Sequence, residues 1–205
     1  MTAHRVGIMG GTFDPVHLGH LGAASAAAEF LDLESVLFSP AAQPWHKQAD
    51  HLAPADDRLA MLEAALIDFP DFAVTTVDLD RGGDTYTIDT LADLEAQFAA
   101  AHPGESVQWF FITGADALSG LASWRSPDQL LQRATFVGVT RPGHELTVPS
   151  IGELGSILLL EIDGNDISST DIRMRAARGD SIDGLVPKAV ADYIHDHDLY
   201  REPRA

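Results

Sequence analysis

The chain contains no cysteine. Disulfides, thiolate metal sites and cysteine nucleophiles are thereby excluded, and a reducing, cytoplasmic setting is expected. Lysine is almost as scarce, with only Lys47 and Lys188 in 205 residues. No apolar run approaches the ~20 residues needed to span a bilayer. The longest centres on Ile157–Leu160. The opening MTAHRVGIMGG has too short an apolar stretch for a signal peptide and leads straight into a strand. Internal repeats, low-complexity tracts and an interdomain linker are also absent.

What remains is a chain that is 45% hydrophobic, enough for a sizeable core without covalent staples. Its length suits a single domain, 1–205, with a C-terminal helical portion from about residue 168. The formal net charge of −18 repels nucleic acid and anionic membranes, so neither is an expected partner. Much of that charge can serve solubility alone. A phosphate ligand would need cations gathered locally, for which Arg125, Arg133, Arg141, Arg173, Arg175 and Arg178 are the candidates.

Strand and helix patterns alternate along the chain. Strands are predicted at His4–Met9, Ser35–Ser39, Phe72–Asp78, Val107–Thr113, Phe136–Thr140 and Ile157–Ile162. Helices are predicted at Leu18–Leu33, Pro54–Asp68, Thr87–Ala101, Ala115–Leu121, Ser126–Gln132, Ser169–Arg178 and Pro187–Asp196. Continuous apolar strands between helices imply an α/β fold, an open, doubly wound parallel sheet covered on both faces. Ligands of such sheets bind beyond the carboxyl ends of the strands, here after Met9, Ser39, Thr113 and Thr140.

The first of these ends reads GGTFDPVHLGH, from Gly10 to His20. Gly10 and Gly11 allow backbone N–H groups to approach a phosphate. The helix that follows adds its N-terminal dipole. His17 and His20 are three residues apart and share a helix face, and Gly19 between them leaves room for a ligand. Such imidazoles can stabilise charge that develops on an attacked phosphoryl group. Neither a dinucleotide fingerprint nor a Walker loop is present. A plain glycine turn with incidental histidines, or a metal-binding pair lacking a clear third ligand, are the other readings of this stretch.

This loop resembles the signature of the H-x-G-H nucleotidyltransferases. Their second signature is matched by Ile167-Ser168-Ser169-Thr170-Asp171-Ile172-Arg173. By itself that segment is a helix start capped by Ser168 or Ser169, with Arg173 one turn on, able to pair with phosphate oxygens. Alone it could equally be an ordinary capped helix with a solvated arginine. The two signatures, in order and about 150 residues apart, reinforce each other, and the resemblance implies the Rossmann-like nucleotidyltransferase type of fold.

The middle of the chain narrows the resemblance to the nicotinate mononucleotide adenylyltransferases. Pro40–Lys47 is similar to their proline-flanked loop, Asp84-Thr85-Tyr86-Thr87 to their S/T-Y-T element, and Arg141-Pro142-Gly143 to the element after strand five. Ala41 and Ala42 stand where that loop often carries asparagine. The resemblance implies transfer of the adenylyl group of ATP to nicotinate mononucleotide, with His17, His20 and Arg173 catalytic. Gly10, Gly11, Thr12, Phe13, Gly19, Gly114, Asp116, Arg141, Ser168, Ser169 and Thr170 would bind ATP. Lys47, Thr85, Tyr86, Thr87 and Trp124 would bind the acceptor, and magnesium would arrive bound to the phosphates. From the residues themselves, Gly114-x-Asp116 at a strand end can hold a ribose, and Trp124 can stack on a pyridine or simply pack in the core. Arg58 and Met61 read as helix architecture. Trp45 and His46 could anchor the loop or meet a ligand. The 163–166 segment lacks calcium-loop spacing, and His195 and His197 read as solvated. A phosphopantetheine adenylyltransferase, or an ATP sensor without chemistry, are the alternatives.

Overall fold

The computed structural model describes residues 3–43, 52–140, 157–162 and 167–201. Lys47, Trp45, His46, Arg141 and the segments 145–156 and 163–166 lie outside the described residues.

The chain runs β1 (His4–Gly11), α1 (Leu18–Leu31), β2 (Ser35–Pro40), α2 (Ala55–Leu66), β3 (Phe72–Val74), α3 (Val77–Arg81), α4 (Thr87–Ala101) and β4 (Val107–Gly114). It continues through α5 (Ala115–Ser119), a 3-10 turn (Leu121–Ser123), α6 (Pro127–Arg133), β5 (Ala134–Thr140), β6 (Ile157–Glu161), α7 (Ser169–Arg178) and α8 (Lys188–Asp196). The six strands form one parallel sheet in the order β3-β2-β1-β4-β5-β6. The strand order reverses between β1 and β4, so the crevice there opens at the carboxyl ends of both.

The apolar strands serve both faces because successive side chains point to opposite sides. Val6, Ile8, Trp109, Phe111 and Phe136 join one core with α4, α5 and α6. Met9, Phe110, Ile112 and Val137 join the other with α1, α2, α7 and α8. Each fully buried side chain of this size contributes about 1.5–3 kcal/mol. Among the described residues no helix is long and apolar enough to cross a membrane.

One predicted element differs. The strand expected over Phe72–Asp78 stops at Val74, and the chain turns into α3. Asp78, 1% exposed, is the reason. Its carboxylate accepts hydrogen bonds from Ser39 Oγ at 2.6 Å, Thr90 Oγ1 at 2.8 Å and Arg81 Nη2 at 2.7 Å. A buried carboxylate with that many donors is satisfied only if the backbone leaves the sheet to meet them. The contact ties the end of β2 to α4, and so to the Thr85–Thr87 element just before it.

Candidate active site

β1 delivers Gly10 and Gly11 to the crevice, and the loop to α1 then folds back on itself. Phe13 adopts a left-handed φ of 50° and is 2% exposed. Its ring lies under Gly11, where an added Cβ would meet Phe13 Cζ at 3.0 Å. Phe13 also meets the His20 ring edge-on at 5.1 Å. Its side chain therefore supports His20 from the core, and only its backbone can reach a ligand.

His17 caps α1 with extended backbone, and the His17 and His20 rings stack at 3.7 Å with 23° between their planes. The His17 backbone N–H donates to His20 Nδ1 at 3.3 Å. That bond requires an unprotonated Nδ1, so the neutral His20 ring carries its proton on Nε2 and can donate from there. A Cβ at Gly19 would sit 3.0 Å from His17 Nδ1, so the missing side chain makes room for the His17 ring beside the cavity that Gly19 lines. The Leu18 N–H at the helix start is already taken by the Leu185 carbonyl at 2.9 Å.

The second signature packs against the first. Ser168 is the N-cap of α7, and its Oγ accepts from the Asp171 N–H at 3.2 Å. Ser169 Oγ donates to the Pro15 carbonyl at 3.0 Å. Arg173 Nη1 donates to the Asp14 carbonyl at 2.8 Å and faces Asp14 Oδ2 at 3.6 Å, while Nη2 reaches Thr170 Oγ1 at 3.4 Å.

Between them lies a cavity of about 620 Å³. Gly10, His17, Gly19, His20, Gly114, Ser168, Ser169 and Thr170 of the predicted set all line it, as does Thr140 at the end of β5. Gly11, Thr12, Phe13, Asp116 and Arg173 do not. Arg173 is instead turned onto the loop at Asp14, and Asp116 is exposed on the first turn of α5. Among the described residues no carboxylate lines the cavity.

A second cavity, of about 360 Å³, is lined by Thr85, Tyr86, Thr87, Trp124 and Arg125. The segment Gly114–Ala117 links the two, with Gly114 on the first and Ala117 on the second. Trp124 is half-buried, edge-on to Phe111 and Phe136 at 6.0 Å each, so part of it packs in the core. Thr85 Oγ1 accepts from the Ala42 N–H at 3.0 Å, and Thr85 N–H donates to the Gln43 carbonyl at 3.3 Å. Thr85 thus fastens the start of the proline-flanked loop. Arg125 lies over the Tyr86 ring, 4.9 Å from its centre, and 3.6 Å from Asp89 Oδ2.

Three residues outside the predicted set organise this end of the sheet. Arg58, 2% exposed, donates from Nη1 to the carbonyls of Thr12 at 2.9 Å and Ala41 at 2.8 Å. It also donates from Nε to Ala53 at 3.2 Å and from Nη2 to Ala42 at 3.3 Å. Burial lowers its pKa from the ordinary value. One guanidinium therefore joins the glycine loop to both flanks of the 44–51 segment. Its sequence signal was its position: Arg58, Met61, Leu62 and Ala65 form one buried helical stripe, with an arginine where an apolar residue belongs. Asp14, 1% exposed, accepts at Oδ1 from Tyr200 Oη at 2.8 Å and from the Ala53 N–H at 3.1 Å. Nothing in the sequence announces the contact with Tyr200, 186 residues away.

The parallel sheet, the switch-point crevice and two signatures converging on one cavity define a nucleotidyltransferase-type α/β protein. The model of the cytidylyltransferase-like family matches residues 8–175. Similar curated proteins bear the name "Probable nicotinate-nucleotide adenylyltransferase". That of Corynebacterium kroppenstedtii is 48% identical over 197 residues, covering 96% of this chain and 90% of its own. That of Streptomyces coelicolor is 47% identical over 193 residues, covering 94% and 99%. The chain belongs to the nicotinate-nucleotide adenylyltransferase family. Its fold is shared with the Plasmodium falciparum nicotinic acid mononucleotide adenylyltransferase solved in complex with NaAD. That similarity has a TM-score of 0.72 at 18% identity and covers 96% of this chain and 97% of that one.

Proposed function

We propose that the protein transfers the adenylyl group of ATP to nicotinate mononucleotide, giving nicotinate adenine dinucleotide and pyrophosphate. The observation that carries this reading is the 620 Å³ cavity walled by His17 and His20 on one side and Ser168–Thr170 on the other. The neighbouring cavity, with Trp124 and Tyr86 on its walls, suits a planar pyridine.

In the reaction an oxygen of the acceptor phosphate forms a bond to the α-phosphorus of ATP. The bond from that phosphorus to the departing oxygen breaks, and pyrophosphate leaves with the electron pair. The nucleophile is already ionised at neutral pH, so no general base is required. Catalysis is positioning plus charge stabilisation. His20 donates from Nε2 toward the triphosphate, with His17 stacked behind to fix the ring. Ser168 and Thr170 present the start of α7. Arg173, held at Asp14 before substrate arrives, is the mobile cation that turns to the phosphates. Lys47 and Arg141 supply further cations to the mononucleotide phosphate and to ATP, and Asp116 accepts from a ribose. A magnesium ion bound to the phosphates would offset part of their charge there.

Pyrophosphate release measured with ATP and each acceptor in turn tests this. Nicotinate mononucleotide is expected to support turnover with clear preference over nicotinamide mononucleotide. Release with phosphopantetheine instead would reassign the acceptor, and ATP binding without release would leave a sensor.

A further inference from the structure

At the opposite end of the sheet, three segments bring two imidazoles and two carboxylates together. His4 opens β1, Glu34 precedes β2, and His102 and Glu105 follow α4. His4 Nδ1 is 2.7 Å from Glu34 Oε2, and His4 Nε2 is 2.5 Å from Glu105 Oε2. His102 Nδ1 is 4.0 Å from that same Glu105 oxygen. One donor atom from each of His4, His102 and Glu105 lies within 4.8 Å of the others.

The backbones beneath these side chains are tied to one another. His4 N–H donates to the Ser106 carbonyl at 2.8 Å, Glu34 N–H to Arg5 at 2.8 Å, and Glu105 N–H to His102 at 3.1 Å. Phe98 walls one side, stacked on His102 at 4.6 Å and edge-on to His4 at 5.4 Å. The donors are thus held by sheet and helix ends rather than by a long loop. None belongs to the catalytic cavity, which lies the length of β1 away, ~23 Å at about 3.3 Å per residue.

We propose that His4, His102 and Glu105 form a zinc site at this edge, with Glu34 orienting His4. Two imidazoles and a carboxylate, with a water as fourth ligand, are a donor set suited to zinc. Donors in a tetrahedral zinc site sit about 3.3 Å apart. The His4–Glu105 pair must open by under an ångström and the His102–Glu105 pair close by about as much, within reach of side-chain rotation. The ion replaces the proton shared between His4 Nε2 and Glu105. His4 Nδ1 keeps its proton and donates it to Glu34, the carboxylate–imidazole–metal arrangement that fixes ring orientation. The bound ion would fasten β1, β2 and α4 together at their non-catalytic ends.

The experiment uses tag-free full-length protein stripped with a chelator and titrated with zinc chloride by calorimetry, with melting followed in parallel. About one zinc per chain is expected at this site, with micromolar or tighter affinity. A zinc concentration near 100 times Kd should raise Tm by about 5–10 °C. His102→Ala and His4→Gln should each weaken this binding at least about tenfold, and Glu34→Gln by about tenfold. All three should leave adenylyl transfer unchanged. His102 is half exposed, so His102→Ala should fold normally and keeps the test clean if His4→Gln does not. Zinc uptake that is absent, or equally tight in His102→Ala and His4→Gln, overturns the proposal whatever the acceptor assay gives.

Discussion

Arg173 reaches across 159 residues of sequence to donate a 2.8 Å hydrogen bond to the main-chain carbonyl of Asp14. The second signature is thereby joined to the first at the backbone, before any substrate is present. Arg173 is 20% exposed at its side chain, so it can exchange this partner for a phosphate with little loss of burial. Arg173→Lys keeps the charge but loses the planar fork. We expect kcat to fall by about 100-fold, with a melting temperature near that of wild type, because lysine cannot pair with two phosphate oxygens at once in the transition state. A rise in KM with unchanged kcat would show that Arg173 binds the ground state and the transition state equally.

Gly19→Ala separates catalysis from stability. The new Cβ would press on His17 Nδ1 at 3.0 Å and tilt the stacked pair. Alanine favours a helix over glycine by at most about 1 kcal/mol, so stability should hold or rise slightly. Turnover should drop at least about tenfold, since a small misplacement of a catalytic group costs that much or more. Steady-state rates beside thermal melts check both halves.

Arg58→Met should be a folding lesion with a kinetic echo. Four carbonyls, those of Thr12, Ala41, Ala42 and Ala53, lose their shared donor in a largely buried setting. A loss of about 3 kcal/mol or more is expected in denaturant unfolding. The KM for the mononucleotide should rise in the surviving enzyme, because both flanks of the 44–51 segment come loose.

Tyr200 should set an alkaline limit. Burial above all, and then Asp14 beside it, raise its pKa well above the ordinary 10.0. The unfolded chain therefore loses this proton first. The stability linked to Tyr200 is complete below about pH 10 and falls above it by about 1.4 kcal/mol per pH unit. Unfolding free energies of wild type and Tyr200→Phe, compared from pH 8 to 11, should converge as pH rises through 10. Parallel curves would show that Tyr200 does not titrate in this way.

Arg125 places a cation at the rim of the second cavity, over Tyr86. Arg125→Gln should lower kcat/KM for nicotinate mononucleotide more than for the amide, narrowing the preference several-fold. Competition from Asp89 at 3.6 Å limits the size of the effect.

The sheet was readable because its evidence is local. Runs such as Val107–Thr113 and caps such as Ser168 state their own conformation, and α4 and α7 fall where their start and stop residues place them. The strand forecast through Asp78 failed because that carboxylate answers to Ser39, Thr90 and Arg81, which a local window does not contain. The site divided along the same line. The paired histidines and the Ser168–Thr170 helix start were visible as spacing. The Asp14–Tyr200 bond depends on two residues meeting from opposite ends of the chain. Arg58 read only as helix architecture, because its four carbonyl partners lie on separate segments.

The central claim is that the cavity between the two signatures is where adenylyl transfer occurs, with His20 at the developing charge. Pyrophosphate release by His20→Ala, with ATP and nicotinate mononucleotide saturating, tests it most directly. The account predicts a rate at least about 100-fold below wild type, in a protein whose melting temperature is nearly unchanged. A rate close to wild type would contradict it.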